Sequence, residues 1–176
     1  MIRFSSQLVF CSPQQILRRT VIEQNENNTI ARIFSLDESI AESAQTMFYN
    51  GIISSEIVSI KQFSGDAAAQ LHSDYQYIDF SEVIPLKQIV PTGKTLILDF
   101  GSNNTDEINR KFSVLASILV NFSIVDIIAA VTYYPAMIAG KTNSIQENNS
   151  TRLLLWENID FSNNRLMEKT RIRFLS

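Results

Sequence analysis

His72 and Asp74 are the one pair in this sequence that sets an imidazole beside a carboxylate at short range, the combination that lets a histidine act as a general base near neutral pH. Their neighbours are polar, so the pair reads first as part of a solvated loop. Asp99 closes a compact apolar run, 95–100, and a carboxylate at the end of a buried strand either faces a site or satisfies nearby amides. Cys11 is the sole thiol; it follows an apolar stretch and precedes Ser12-Pro13, a place where it could be exposed, but no basic neighbour stands by to lower its pKa. A structural thiol is expected. Pro91-Thr92-Gly93-Lys94-Thr95 imitates the end of a phosphate-binding loop, yet Gln88 stands where the first glycine is required and Thr95 opens an apolar strand instead of a helix. An ordinary turn is expected there.

The elements that must position these groups follow from periodicity. Ile2, Phe4, Leu8 and Phe10 fall on even positions with polar residues between most of them, the alternation of a half-buried strand. Residues 16–22 and 30–34 are apolar arms on either side of the polar cluster 24–28, as in a hairpin. Further strands are expected at 47–53 and 56–63, then a stretch, 64–91, with one short strand and a helical turn, and a strand at 95–100. Ile108, Phe112, Leu115, Leu119 and Phe122 then recur at helical spacing behind Thr105-Asp106-Glu107. Ser123 and Asp126 have the spacing of a capping box, so a second helix starts there and runs to Gly140. The chain returns to strands at 152–156, whose Trp156 reads as core, and at 170–175. The asparagine-rich stretches read as turns.

The two ends of this pattern, taken together, resemble the amidohydrolase superfamily, specifically metal-dependent hydrolases of the cytosine deaminase and chlorohydrolase type. Phe48-Tyr49-Asn50-Gly51-Ile52-Ile53 is similar to the end of the family's N-terminal β-sandwich segment. Thr132, Pro135, Ala136 and Gly140 resemble a helix end of the family, and Ser144-Ile145 followed by Leu153-Leu154-Leu155 resembles the strand that re-enters the sandwich. The resemblance covers 1–63 and 95–176. It implies an α+β fold, a β-sandwich composed of 1–55 plus 140–176, with a reduced α/β insert, 56–139, left from a barrel. A closed barrel with its helices takes ~250 residues, so most of it is absent from the interval between the sandwich segments. The strands at 58–63 and 95–100 would be barrel neighbours and stay paired.

The same resemblance places the family's metal ligands on residues that cannot serve. Its two histidines fall on Lys61 and Phe63, an ammonium without a lone pair and a ring without a donor atom. Its aspartate falls on Gly101, with Asp99 on the same face two residues earlier. The expectation is a chain with no metal and no cofactor, a non-catalytic binding or assembly module. The alternative is an enzyme with repurposed chemistry drawn from Asp99, His72 or Lys61.

Composition narrows the partners. With 45% hydrophobic and 19% charged residues the chain is of ordinary globular type. A net charge of -3 argues against nucleic acid as partner. Asn121, Ser123 and Asp126 interrupt the most apolar stretch, which argues against a membrane span. Leu8-Val9-Phe10 is too short for the apolar core of an export signal and one cysteine suits a reducing compartment, so a cytoplasmic protein is expected. Unpaired edges left by the missing barrel strands predict a homodimer.

Overall fold

The computed structural model describes residues 1–37, 45–62, 74–81 and 87–176. Phe63 and His72 lie outside the described residues. Nine strands and three helices are assigned among those described. β1 (Ile2–Ser12), β2 (Gln15–Leu17), β3 (Thr20–Gln24), β4 (Ile30–Ser35), β5 (Thr46–Ser55), β8 (Leu153–Glu157) and β9 (Arg171–Phe174) form one sheet in the order β4-β3-β1-β5-β8-β9, with β2 on the end of β1. Only the β1–β5 pair in this sheet is parallel. The two ends of the chain meet where Gly51–Ser55 pairs with β8.

β1 does more than alternate. Its pairing with β5 shifts register between Ser6 and Leu8, so Phe4 before the shift and Val9 and Cys11 after it share one apolar cluster while Phe10 enters another. Both faces are therefore buried, where alternation alone promised one. The polar turn after β3 is as expected: Asn25 Oδ1 accepts from the amides of Asn27 and Thr29, and Asn28 takes φ +59°.

The sheet coils until its first edge returns towards its last strands. Ile30 N–H donates to Asn149 O at 2.9 Å, Asn148 N–H donates to Ile30 O at 2.8 Å, and Thr29 bridges Ser150 just before β8. Phe4, Ile22, Ile30, Ile53, Leu153 and Leu155 fill the inside of this coil. The class is α+β, and the two layers belong to one continuous sheet. Gly51 is required where β5 meets β8, since a Cβ there would overlap the Trp156 carbonyl oxygen.

On the outer face the sheet is covered by helices. α1 (Thr105–Ile118) begins at Asn104, whose side chain accepts from Asp106 N–H, and buries Ile108, Phe112, Leu115 and Ile118. α2 (Ile124–Val131) carries the expected capping box of Ser123 and Asp126. The second helix does not run unbroken to Gly140: it ends at Thr132 and α3 (Tyr133–Ile138) follows. Pro135 has no N–H to give the Val131 carbonyl four residues back, and that carbonyl instead accepts from Val58 N–H at 2.9 Å. Trp156 packs edge-on against Phe112, its Nε1–H donating to Ser54 Oγ at 2.9 Å, and is fully buried as expected. Among the described residues no helix is long and apolar enough to cross a membrane.

A second, two-stranded sheet pairs β6 (Tyr75–Asp79) with β7 (Thr95–Asp99) in parallel. This corrects the expected pairing of 58–63 with 95–100. Residues 56–59 form no strand and Ile60–Gln62 makes a 3-10 turn, so the neighbour of β7 is the short strand expected within 64–91. Ile97 and Leu98 are fully buried, with β6 beside β7 and α2 packed on it, so the chain covers this apolar strand itself.

The outer strands of the large sheet are closed by side chains. On β4, Ile33 N–H donates to Glu147 Oε1. On β9, Ile172 N–H donates to Asn109 Oδ1 and Ile172 O accepts from Asn109 Nδ2, each at 2.8 Å, so one α1 amide imitates a neighbouring strand.

Candidate functional site

The carboxyl ends of parallel strands are where barrels gather reactive groups, and β6 and β7 end in register on Asp79 and Asp99. Asp99 is completely buried. Its Oδ1 accepts from Ser59 Oγ at 2.7 Å and from Gly101 N–H at 2.8 Å; its Oδ2 accepts from Lys61 N–H at 3.1 Å and from the Tyr77 hydroxyl at 3.3 Å. Four donors from three stretches of chain thus converge on one carboxyl group, so its oxygens are satisfied in the interior. Burial, together with the charges of Asp99 and Asp79 and the hydrogen bond to Asp99, pushes the Tyr77 hydroxyl well above the ordinary phenol range, so it stays a donor.

Asp79 lies at the rim. Lys61 Nζ contacts its Oδ2 at 2.6 Å and Ser81 N–H donates to its Oδ1 at 2.8 Å. Partial burial raises its pKa, but the hydrogen bonds from Lys61 and Ser81 and the Lys61 charge outweigh that and bring it down to about 2. The same ammonium donates to Ser81 Oγ at 2.6 Å. Gly101 sits at φ +69° with Ser81 in front of it; an added Cβ would lie 2.5 Å from Ser81 Cβ. Lys111 Nζ donates to Phe80 O at 2.7 Å and closes the α1 side.

Of the residues singled out by sequence, Lys61, Asp99 and Gly101 come together here. Asp74, the other half of the His72 pair, accepts from Thr95 N–H through its backbone at the opposite end of β7. Gly93, at φ +77°, makes the expected turn, and Thr95 opens a strand. Cys11 is buried within β1, as a structural thiol is, and burial pushes its thiol up to about 11. Sequence reasoning missed Ser59, Tyr77, Asp79 and Ser81. The signal available for two of them was the alternation of Tyr75, Tyr77 and Asp79 along one short strand. It also missed a hollow of about 750 Å³ lined by Cys11, Leu17, Ile33, Tyr133, Ile145 and Glu147, which come from four separated stretches.

Of the residues that the resemblance sets at metal-ligand positions, those described offer no set of donors that fits a metal. Both oxygens of Asp99 are taken by protein donors, Gly101 has no room for a side chain, and the Lys61 head group is a cation held by Asp79. Among the described residues no three His, Cys, Asp or Glu side chains cluster in a way that could hold an ion. Lys61 is equally ill suited to act as a base towards Ser81, because an ammonium that donates to both Asp79 and Ser81 has no lone pair to offer.

The fold and site define a small α+β protein with a closed carboxylate network at the ends of two parallel strands. No family model and no curated protein matches the sequence. Solved structures similar to part of it include two of one enzyme. One is N-acetyl-D-glucosamine-6-phosphate deacetylase from Mycobacterium smegmatis, with a TM-score of 0.26 and 11% identity, covering 66% of this chain and 29% of that one. The other is a point mutant of that deacetylase in complex with N-acetyl-D-glucosamine-6-phosphate, with a TM-score of 0.26, 12% identity and the same coverage. The matched part of the chain thus spans 29% of the length of either structure.

Proposed function

We propose that this chain is a non-catalytic binding or assembly module, derived from a metal-dependent amidohydrolase and working in the cytoplasm. The observation that carries the reading is the closure of Asp99. A carboxylate that served a metal or a substrate would keep a lone pair turned outwards, and here both oxygens are committed to Ser59, Lys61, Tyr77 and Gly101. The network braces 59–61 against β7, so its role is to hold the segment that joins the large sheet to the small one. The test is elemental analysis of protein purified without chelator and again after incubation with zinc, manganese or iron. No stoichiometric metal is expected; about one equivalent retained would overturn the reading.

The second reading, an enzyme with repurposed hydrolytic chemistry, is favoured by the 2.6 Å contact between Ser81 Oγ and Lys61 Nζ. It requires Lys61 to lose its proton beside Asp79. A fluorophosphonate probe separates the two: labelling of Ser81 abolished by Lys61→Met would establish a nucleophile, and an unlabelled chain supports the module.

A further inference from the structure

Among the described residues, one edge of the large sheet is closed by nothing. β5 pairs with β1 from Thr46 to Ile53, with one register shift, but β8 joins its other side only from Gly51 onwards, and no described strand lies against Thr46–Asn50 on that side. The outer strands β4 and β9 are stoppered by Glu147 and Asn109. Among the described residues nothing of the kind is present at Thr46–Asn50: the segment holds no charge, no proline and no bulge beyond the one shared with β1. Phe48 is 60% exposed, and Met47, Met1 and Ile2 are exposed close by.

We infer that this edge pairs with the same edge of a second copy of the chain, antiparallel, about a twofold axis through Phe48. This deepens the assembly reading proposed above and rests on it. Three observations select a second copy. The groups left open are main-chain amides and carbonyls, and an extended strand satisfies them. The order Thr46-Met47-Phe48-Tyr49-Asn50 is symmetric in polarity, so an antiparallel image sets Thr46 opposite Asn50, Met47 opposite Tyr49 and Phe48 opposite its own copy. Met47 and Tyr49 already touch within one chain, Tyr49 Oη lying 3.6 Å from Met47 Sδ, so the pair between copies repeats a contact the strand can make. The five residues carry no charge of their own, and the Arg173 guanidinium, 5.0 Å over the Tyr49 ring, is already paired with Glu157. Met1 and Ile2, next to the start of this edge on β1, extend the apolar surface.

The experiment is sedimentation equilibrium at micromolar concentration with the full chain, Phe48→Lys and Phe48→Cys. The wild type should weigh about twice 20.0 kDa. Phe48→Lys, which sets two ammonium groups opposite each other, should weigh 20.0 kDa with an unchanged far-ultraviolet circular dichroism spectrum. Phe48→Cys should form a disulfide-linked dimer under mild oxidation, because opposed residues in antiparallel pairs lie roughly 4.5–5.5 Å apart at Cα, within reach of a disulfide. The wild type, whose only thiol is the buried Cys11, should not cross-link. A monomeric wild type, or a dimer that neither cross-links through Phe48→Cys nor responds to Phe48→Lys, overturns the inference. If Phe48→Lys fails to fold, the cross-link decides. None of these outcomes touches the metal and probe measurements, so the non-catalytic reading stands or falls separately.

Discussion

Asp79 and Asp99 sit directly opposite each other in the β6–β7 register, yet one carboxylate is held by protein donors in the interior and the other by an ammonium at the surface. Two acids side by side would repel if both lacked partners. Here each has its own set, and the sets are tied together by Lys61, which gives its backbone amide to Asp99 and its side chain to Asp79.

Replacing Asp99 with asparagine should destabilise the fold by about 1–3 kcal/mol, the cost of leaving a buried donor unsatisfied. Ser59 and Tyr77 are hydroxyls and can turn to accept from an amide, but the N–H groups of Gly101 and Lys61 cannot. Whichever way the new amide points, one of them loses its acceptor. Urea unfolding measures this as a lower midpoint at constant m-value; an unchanged midpoint would refute the closed-network account.

Lys61→Met tests the rim and its pH dependence. Asp79 has a folded pKa depressed to about 2, so the contact contributes stability above the ordinary aspartate range and loses it as pH falls through about 2. Both side chains are more than a third exposed, which limits the effect near neutral pH to about 0–1 kcal/mol. Thermal melts between pH 7 and pH 2 should show the difference between wild type and variant shrinking to nothing at the acid end.

Gly101→Ala should cost about 1–3 kcal/mol, since alanine would hold a positive φ and press against Ser81. Ser81→Gly in the same chain removes the steric part and leaves the backbone part. A double-mutant cycle by calorimetry should therefore return a favourable coupling between the two substitutions.

Cys11 should be silent to a thiol reagent at pH 8 in the native chain and react fully in urea. Its pKa is raised to about 11 by burial, so the thiol form is favoured in the fold and the contribution to stability is lost as pH rises towards 11. Absorbance with an aromatic disulfide reagent counts the thiols directly: none native, one unfolded.

Much of the fold was legible because its signals are local. The α1 stripe, the Ser123–Asp126 box, the asparagine turn after β3 and the β8 run each sit within a single window of sequence. What was illegible depends on which distant segments meet. Val58 and Ile60 read as the start of a strand, but whether such residues pair depends on what lies beside β7, and β6 takes that place. The register shift in β1 left no mark on the alternation of Ile2, Phe4, Leu8 and Phe10. Asp99 was singled out for its place at a strand end, whereas its partners Ser59 and Tyr77 lie 40 and 22 residues away, and nothing in their own surroundings points to it.

The meeting of β5 with β8 has a consequence for the chain while it is being made. The edge of Gly51–Ser55 leaves the ribosome about a hundred residues before Leu153–Glu157, the strand that covers it. At usual rates of synthesis, that is a wait of roughly 5–20 s. During it Gly51-Ile52-Ile53-Ser54-Ser55 is an uncharged strand whose eventual partner does not yet exist. The nascent chain is then most open to pairing with the wrong neighbour, and slowing translation after residue 55 should lower the yield of soluble protein more than slowing it after residue 157.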